Sequence, residues 1–313
     1  MIALAVDVGG SHVTCAAVED SVLLASETFP ATSTDQFANI LSKIVPCLLK
    51  MAREARVQTG DCTAVVLSFC GLADARTGKV LSTSSKYDDA PHIALSVWAK
   101  QAFGLPLLIE NDARMALLCE HYTGAARGCD DVVMLTLGTG VGGAAMIGGR
   151  VLRGKHSQAG CLGGHFPVQM DGRLCGCGGM GCVEAEASTS ALGDILESWP
   201  EYSRSSLAGR ARSTSFAALC TAVDEGDRVA TEVFEHCVRV WGHGAIAMIH
   251  AFDPAMLVVG GGVMHRAELV LPGIERLVTQ RAWTPWGKVA VRRSELGGSA
   301  PLLGAIPLIQ ECL

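Results

Sequence analysis

The chain has 313 residues and a formal net charge of −6, a length for which two domains with separate cores are expected. The negative charge and the lack of a lysine or arginine run argue against nucleic acid or an anionic membrane as partner. The start MIALAVDVGG predicts no signal peptide, and no long uncharged stretch predicts a membrane span. Thirteen cysteines, an odd number at no disulfide-framework spacing, favour a reducing cytoplasm.

The first part of the chain alternates between predicted strands and helices. Apolar residues recur with period two in the strands and near 3.6 in the helices. The predicted strands are 2–8, 12–18, 22–28, 64–69 and 107–109, and the predicted helices are 37–55, 93–103 and 113–123. A short glycine turn separates the first two strands, which predicts a hairpin.

A second hairpin, 131–137 with 141–147, resembles the first one. Each apolar strand ends in a small polar turn and restarts as a strand, which indicates an internal duplication of two α/β lobes. Further predicted helices are 216–222, 228–251, 269–280 and 302–310, and further predicted strands are 256–259 and 288–291. The predicted N-terminal lobe comprises 1–110 and about 300–313, and the C-terminal lobe comprises 111–299.

The segment from His156 to Ser188 is too rich in glycine to form a core of its own. It contains three cysteines and one histidine at close spacing: His165, Cys175, Cys177 and Cys182. Three thiolates and one imidazole complete the tetrahedral shell of a structural Zn²⁺, with no position for water. This closed shell argues against a zinc-dependent hydrolase. The alternative is a cluster of unpaired buried thiols. The many glycines around the cysteines argue against it, because such a segment is poorly suited to a hydrophobic core.

Two glycine turns are candidates for phosphate binding. The run from Gly138 to Gly143 matches G-x-G-x-x-G, but a strand follows it where a dinucleotide site requires a helix. The bare backbone N–H groups of both turns can approach phosphate oxygens, although ordinary β-turns are the alternative. Asp7, at the end of the first strand, is suited to organise Mg²⁺.

Asn111 and Asp112 lie where a predicted short strand meets a helix. Asn and Asp at such a turn are helix caps by default. A phosphotransferase also needs a carboxylate beside the attacking hydroxyl, and Asp112 is the best-placed candidate between the two hairpins.

The order of these motifs resembles the ROK family of sugar kinases. Asp-x-Gly-Gly-Ser, Glu-Asn-Asp-Ala, Leu-Gly-Thr-Gly-Val-Gly-Gly, the cysteine knuckle and Val-Val-Gly-Gly-Gly-Val follow one another over nearly the whole chain. The resemblance implies a two-lobed α/β actin-like ATPase (ribonuclease H-like) fold with the active site in the interlobe cleft. Repressors of the family carry an N-terminal helix-turn-helix, whereas this sequence starts on its first strand, which favours the kinase form.

The resemblance implies ATP-dependent phosphorylation of a hexose-like sugar, usually on the 6-hydroxyl, with Asp112 as general base. ATP, Mg²⁺ and structural Zn²⁺ are the implied cofactors, and a homodimer is the implied assembly. The alternative substrate class is an N-acylhexosamine (N-acetylglucosamine or N-acetylmannosamine). The alternative from another class is a catalytically silent sugar- or nucleotide-binding relative.

The resemblance also assigns roles to individual residues. The implied sugar-binding residues are Gly71, Asn111, Asp112, His165 and Glu184. The implied Mg²⁺ and phosphate residues are Asp7, Gly9, Gly10, Ser11, His12, Gly138, Thr139 and Gly140, with Gly261 and Gly262 beside the adenosine. His165 would serve twice, with one nitrogen on zinc and the other toward the sugar.

The sequence departs from the family pattern near the expected sugar site. Cys161 stands where the family has a sugar-binding glutamate, and one additional glycine follows it before His165. A thiol is a weak hydrogen-bond partner, so one strong sugar contact is missing or supplied elsewhere. Lys86, Tyr87 and Asp88 stand where the family commonly has an asparagine. Lys86 or Asp88 could restore a polar contact and favour a different epimer or an altered C2 group; a solvated loop is the alternative.

Overall fold

The computed structural model describes residues 1–32, 34–83 and 87–313, which form two compact units. The first unit comprises Met1–Gly128, Arg153–Ala159 and Gly298–Leu313, and the second comprises Cys129–Leu152 and Gly160–Gly297. Lys86, for which a polar sugar contact was considered, lies outside the described residues.

The first unit is built around a mixed five-stranded sheet with the strand order β3-β2-β1-β4-β7. Its elements are β1 (Ile2–Val8), β2 (His12–Glu19), β3 (Val22–Pro30), α1 (Phe37–Glu54), β4 (Ala64–Phe69), β5 (Leu72–Asp74), β6 (Lys79–Ser82), α2 (Leu95–Phe103), β7 (Leu107–Asn111), α3 (Asp112–Thr123), α9 (Ala300–Leu303) and α10 (Ala305–Cys312). Strands β1, β2 and β3 form an antiparallel meander, and β1, β4 and β7 run parallel.

The second unit contains another five-stranded sheet, with the order β10-β9-β8-β11-β12. Its elements are β8 (Val132–Leu137), β9 (Val141–Ile147), β10 (Arg150–Val151), α4 (Val183–Ala187), α5 (Leu192–Ser198), α6 (Phe216–Asp224), α7 (Arg228–Phe252), β11 (Met256–Gly260), α8 (Ala267–Arg281) and β12 (Ala290–Arg293). Strands β8, β9 and β10 form an antiparallel meander, and β8, β11 and β12 run parallel.

The two sheets therefore share one topology. In each sheet, a meander supplies three strands. A later strand then pairs in parallel with the first strand of the meander, and the last strand pairs in parallel with that later strand. The internal duplication predicted from the two hairpins is confirmed. Because the first strand of each meander is central and is followed by a glycine turn, each sheet presents one such turn at the carboxyl end of its parallel strands.

Amphipathic helices cover these sheets. Helix α1 buries Ile40, Ile44 and Leu48 in the core of the first unit, and burying each such side chain contributes about 1.5–3 kcal/mol. In the second unit, the fully buried Trp241 of α7 donates its indole N–H to the Ala187 carbonyl at 2.9 Å. Each unit thus has a core of its own.

Helix α3 belongs to the first unit, although the sequence assigned 111–299 to the C-terminal lobe. It packs closely on α9 and α10, and a Cβ atom on Gly304 would collide with the Met115 carbonyl of α3. This close approach cannot be read from local pattern, because its partners are far apart in sequence. Within the described residues, no helix is both long enough and apolar enough to cross a bilayer.

Candidate active site

One group of candidate residues lies in the first unit, at the carboxyl ends of β1, β4 and β7. Strand register places Asp7 beside Ser68, and Ser68 Oγ donates a hydrogen bond of 2.7 Å to Asp7 Oδ1. Burial raises the pKa of Asp7 to about 7, and the negative charge of Asp112 adds to the shift against the effect of the Ser68 hydrogen bond. Oxygen ligands of this kind are suited to Mg²⁺.

The turn between β1 and β2 follows Asp7 directly. The Gly9 N–H donates to the His12 carbonyl at 3.0 Å and closes the turn. Ser11 Oγ and His12 Nδ1 lie 3.0 Å apart, and both residues are exposed. With Gly9 and Gly10 carrying no side chain, the turn leaves its backbone open to an anion.

Asn111 ends β7 and caps α3, which begins at Asp112. Its Oδ1 accepts from the N–H groups of Ala113 and Arg114 at 3.1 and 3.2 Å. Its Nδ2 donates to the Gly71 carbonyl at 3.1 Å and to Asp112 Oδ1 at 2.9 Å. The side chain is only 8% exposed and uses both of its donors within the protein. The cap interpretation of Asn111 is confirmed, and its role as a sugar ligand stays a prediction.

Asp112 lies at the first turn of α3, where its Oδ1 also accepts from the Ala113 N–H at 2.8 Å. The residue is half-buried. The dipole of a helix N-terminus stabilises a negative charge. The Asp112 side chain is therefore oriented at the start of α3, and its negative charge contributes to the raised pKa of Asp7.

Gly71 supports this arrangement through its lack of a side chain. A Cβ atom there would lie 2.6 Å from the Ser82 carbonyl oxygen and 2.9 Å from the Phe69 ring. Both contacts are too short for any other residue without movement of the backbone. The Gly71 carbonyl can therefore reach the Asn111 amide.

A separate group of candidate residues lies in the second unit and contains the turn between β8 and β9. The Gly138 N–H donates to the Gly140 carbonyl at 3.0 Å, which makes the turn tight. The carbonyls of Gly138 and Thr139 accept from the N–H groups of Thr189 and Ser190, both at 3.0 Å. Because these two carbonyls are hydrogen-bonded to the residues just before α5, a second segment of the chain fixes the position of the turn.

Glu184 links this turn to the cysteine segment. Its Oε2 accepts from the Val141 N–H at 2.9 Å, and a Cβ atom on Gly140 would collide with the same oxygen. Glu184 also borders an open cavity of about 760 Å³ in the second unit. Other polar residues that line the cavity include Gln169, Asp171, Arg173, Glu186, Ser188, Ser190, Asp194 and Ser198. The cavity gives a sugar-sized ligand room beside Glu184, whose role in sugar binding stays a prediction.

The glycines after β11 fit closely against the same turn. Gly261 has φ +91°, and a Cβ atom on it would lie 2.6 Å from the Leu137 nitrogen. Gly262, by contrast, has open space where its Cβ would be. The open space leaves the backbone at Gly262 unobstructed. A helical turn and α8 follow it.

The predicted zinc ligands form one cluster. His165, Cys175, Cys177 and Cys182 each offer one ligand atom, and these atoms lie within 4.8 Å of one another. Cys175 Sγ lies 3.5 Å from His165 Nδ1, and Cys177 Sγ lies 3.7 Å from Cys182 Sγ. A tetrahedral zinc with bonds of about 2.3 Å to sulfur and 2.0–2.1 Å to nitrogen has edges of about 3.5–3.8 Å. The two distances match these edges, and three thiolates with one imidazole are a donor set suited to a structural Zn²⁺. His165 presents Nδ1 to the Cys175 sulfur.

A buried glutamate that no local sequence signal reveals, Glu186, binds the segment just before Cys175. Glu186 is fully buried and accepts from the Arg173 guanidinium at 2.8 Å and from the Arg173 N–H at 2.5 Å. It lies in α4 two residues after Glu184. Because Arg173 precedes Cys175 by two residues, this pair connects α4 to the segment that carries the predicted zinc ligands. The short helix itself had no periodic signal by which to find it.

The residues that differ from the family pattern near the expected sugar site lie in different surroundings. Cys161 is half-buried in a loop that passes close to β9, where a Cβ on Gly143 would lie 2.8 Å from Gly163 Cα. This proximity gives the additional glycine a packing role. Asp88 is exposed and accepts from Thr83 Oγ1 at 3.1 Å. Tyr87 is fully buried, so the solvated-loop interpretation is wrong for this residue.

Comparison with known proteins gives consistent matches over nearly the full length. The model of the ROK family matches residues 3–312. A glucokinase from Streptomyces coelicolor is 30% identical over 99% of this chain and 98% of its own. An N-acetylglucosamine repressor from Escherichia coli is 26% identical over 94% of this chain and 71% of its own. The crystal structure of a ROK family glucokinase from Streptomyces griseus in complex with glucose and AMPPNP has a TM-score of 0.84 and 31% identity, over 99% of this chain and 100% of that one.

These matches confirm the predicted α/β fold of the actin-like ATPase type. They include sugar kinases and a repressor, so membership of the family does not by itself decide the activity. In both sequence and fold, the chain belongs to the ROK family.

Proposed function

We propose that this protein is a carbohydrate kinase that transfers the terminal phosphoryl group of ATP to a hydroxyl of a hexose-type sugar, with Asp112 as general base. The observation that carries the proposal is the pair of carboxylates, Asp7 and Asp112, at one edge of the first sheet. Each stands next to a backbone element that favours anions, a glycine turn and a helix N-terminus. The similarity to glucokinases gives independent support.

The two carboxylates have distinct roles in this proposal. Asp112 accepts the proton of the sugar hydroxyl as the oxygen of that hydroxyl attacks the γ-phosphorus. The bond between the γ-phosphorus and the β,γ-bridging oxygen breaks, and ADP leaves. Asp7 holds Mg²⁺, which supplies charge neutralisation for the phosphate oxygens. The different surroundings of the two groups support this division, since burial favours the neutral form of Asp7 until a cation is present.

The backbone turns are assigned to the nucleotide. The turn of Gly9, Gly10, Ser11 and His12 and the turn of Gly138, Thr139 and Gly140 offer N–H groups to phosphate oxygens, and Gly261 and Gly262 lie beside the adenosine. The open space at Gly262 supports the last assignment. ATP as cofactor is also consistent with the AMPPNP complex of the Streptomyces griseus relative.

The sugar is assigned to Asp112, Asn111, Gly71, His165 and Glu184. Because Nδ1 of His165 belongs to the metal cluster, its Nε2 is the atom for a sugar hydroxyl. Zn²⁺ has a structural part in this proposal, since four protein donors fill its shell. A hexose is the first substrate class, and an N-acylhexosamine is the second, because Cys161 cannot replace the hydrogen bonds of a glutamate.

The test is ADP release with Mg·ATP over a panel of hexoses and N-acylhexosamines. We expect a sugar-dependent rate that Asp112→Asn lowers by about 10²–10⁴-fold. Asp61→Asn, a change at an exposed aspartate of the same unit, is the matched control and should keep the rate. Sugar-induced thermal shifts without turnover for any sugar would overturn the kinase and favour a silent sugar-binding protein. Light scattering of the same samples tests the proposed homodimer.

A further inference from the structure

A buried ion network lies directly behind the turn that carries Asn111 and Asp112. The Glu110 carboxylate is fully buried, and its Oε1 accepts from the Asn111 N–H at 2.9 Å and from Arg114 Nη1 at 3.2 Å. Its Oε2 accepts from Arg153 Nε at 2.6 Å. Arg153 also donates to Glu311 at 2.5 Å. Two carboxylates and two guanidinium groups thus balance one another.

Stability is a poor explanation for this network. The Arg114 guanidinium is fully buried and donates to the carbonyls of Ser157 and Ala159 at 3.0 and 2.7 Å. Its Nε nevertheless has no hydrogen-bond partner in the described part of the chain. Burying ions costs several kcal/mol each, and well-packed apolar residues often stabilise a core as well or better. What the network supplies is fixed geometry at the end of β7.

A continuous set of hydrogen bonds leads from this network to the Asp112 carboxylate. Glu110 holds the backbone of Asn111, and the backbone N–H of Arg114 donates to Asn111 Oδ1. With its oxygen fixed in this way, the Asn111 side chain directs Nδ2 to Asp112 Oδ1 at 2.9 Å. Through Asn111, the buried Glu110 is thus linked to Asp112 Oδ1, which also accepts from the Ala113 N–H at 2.8 Å.

We propose that Glu110 is a positioning residue for phosphoryl transfer, which orients the Asp112 carboxylate through the backbone and side chain of Asn111. The inference rests on the proposed function of Asp112. Its physical basis is that proton transfer requires the base at hydrogen-bond distance from the hydroxyl, and that small displacements of a reacting group cost up to about 10²-fold in rate.

Glu110→Gln tests the proposal with almost no change in shape. A glutamine has one acceptor oxygen, whereas three donors converge on the two oxygens of Glu110, so at least one donor must face the new amide group. We expect kcat, expressed per nucleotide-binding site measured by calorimetry, to fall about 10–100-fold, with the KM for Mg·ATP within about threefold of wild type. Glu311→Gln, which removes only the outer ion pair, should keep kcat within about twofold.

A double-mutant cycle separates positioning from general damage. If Glu110 acts through Asp112, Glu110→Gln should have no further effect on kcat in an Asp112→Asn background. Wild-type kcat in Glu110→Gln, or an equal loss in both backgrounds, would overturn the positioning role while Asp112 keeps its own. A wild-type rate in Asp112→Asn would instead contradict the function proposed for Asp112.

Discussion

The Tyr87 hydroxyl donates a hydrogen bond of 2.7 Å to the Gly9 carbonyl, across 78 positions of sequence. The ring is fully buried against Phe37 and Phe69, with centroid distances of 5.6 and 6.2 Å. Its backbone has φ +55°, which is uncommon for a bulky residue. Burial raises the pKa of Tyr87 to about 12, so the hydroxyl remains a donor at any ordinary pH. A buried aromatic cluster thus fixes the first glycine turn.

Tyr87→Phe should weaken this turn without disturbing the ring. We expect a loss of about 0.5–1.5 kcal/mol in the free energy of unfolding, together with a several-fold higher KM for Mg·ATP, because Gly9 is less constrained. Tyr202→Phe is the control in the second unit, where the Tyr202 hydroxyl donates to the Leu207 carbonyl at 2.8 Å and accepts from the Ala211 N–H at 2.9 Å. The control should lose at least as much stability and keep its KM. Equal KM values in the two variants would show that Tyr87 has no part in nucleotide binding.

The contrast between Tyr87 and the strands indicates what the sequence could predict. Strands β1, β2, β8 and β9 were found within about two residues because apolar alternation and glycine turns are local signals. The shared topology followed from two such signals in one chain. Tyr87 lacked a local signal, since its partner lies in another element and its neighbours in sequence are polar. Its burial depends on tertiary contacts alone.

The site shows the same division. The spacing of His165 and the three cysteines was sufficient to predict that these four side chains cluster, because they are close in sequence. Glu110 and Arg114 have the spacing of an i,i+4 pair, yet their complete burial depends on Arg153 and the backbone at 157–159. Such long-range partners cannot be predicted from one sequence. Helices α4 and α5 were missed because they are short and follow a glycine-rich segment.

The pKa of Asp7 predicts a pH-dependent affinity for Mg²⁺. Because burial raises this pKa to about 7, a growing fraction of Asp7 is neutral as the pH falls below that value, and a neutral carboxyl binds Mg²⁺ poorly. We expect the Mg²⁺ concentration for half-maximal rate to rise toward tenfold per pH unit below about pH 6. The measurement is a Mg²⁺ titration of ADP release at several pH values. A concentration independent of pH would contradict this role of Asp7.

The same shift predicts the sign of a stability change. The folded protein keeps a proton on Asp7 that the unfolded chain has released between the ordinary pKa of 3.8 and about 7. Asp7 therefore lowers the free energy of unfolding as the pH rises through that window. At pH 8, Asp7→Asn should raise Tm by only about 2–5 °C, because Asp7 is partly exposed to solvent, while activity is lost. Near pH 4 the effect should vanish, and Asp61→Asn should show none at either pH.

Removal of the proposed zinc should lower the thermal stability of the second unit. We expect one zinc per chain by elemental analysis, and less than one in Cys175→Ala, because three donors hold the ion more weakly than four. A structural zinc contributes folding free energy, so Tm should fall by about 5 °C or more in this variant and after chelation. Cys312→Ala, at an exposed cysteine outside the cluster, should keep both zinc and Tm. A full zinc content in Cys175→Ala would contradict the ligand set.

The two glycines after β11 allow a matched pair of variants. A Cβ atom at Gly261 would meet the backbone of Leu137 at a φ of +91°, whereas a Cβ atom at Gly262 would have no atom within 4 Å. Gly261→Ala should therefore cost about 3 kcal/mol in the free energy of unfolding, from backbone strain and overpacking. Gly262→Ala should stay within about 1 kcal/mol of wild type.

Activity then tests whether this backbone contacts the adenosine. In Gly262→Ala, the added methyl group is expected to raise the KM for ATP several-fold and to leave the KM for the sugar unchanged, because only the nucleotide meets it. Denaturant unfolding and initial rates on the same samples provide both quantities. If Gly262→Ala binds ATP as wild type does, the adenosine lies elsewhere. If Gly261→Ala is as stable as wild type, the close approach of Gly261 to the end of β8 does not constrain the fold.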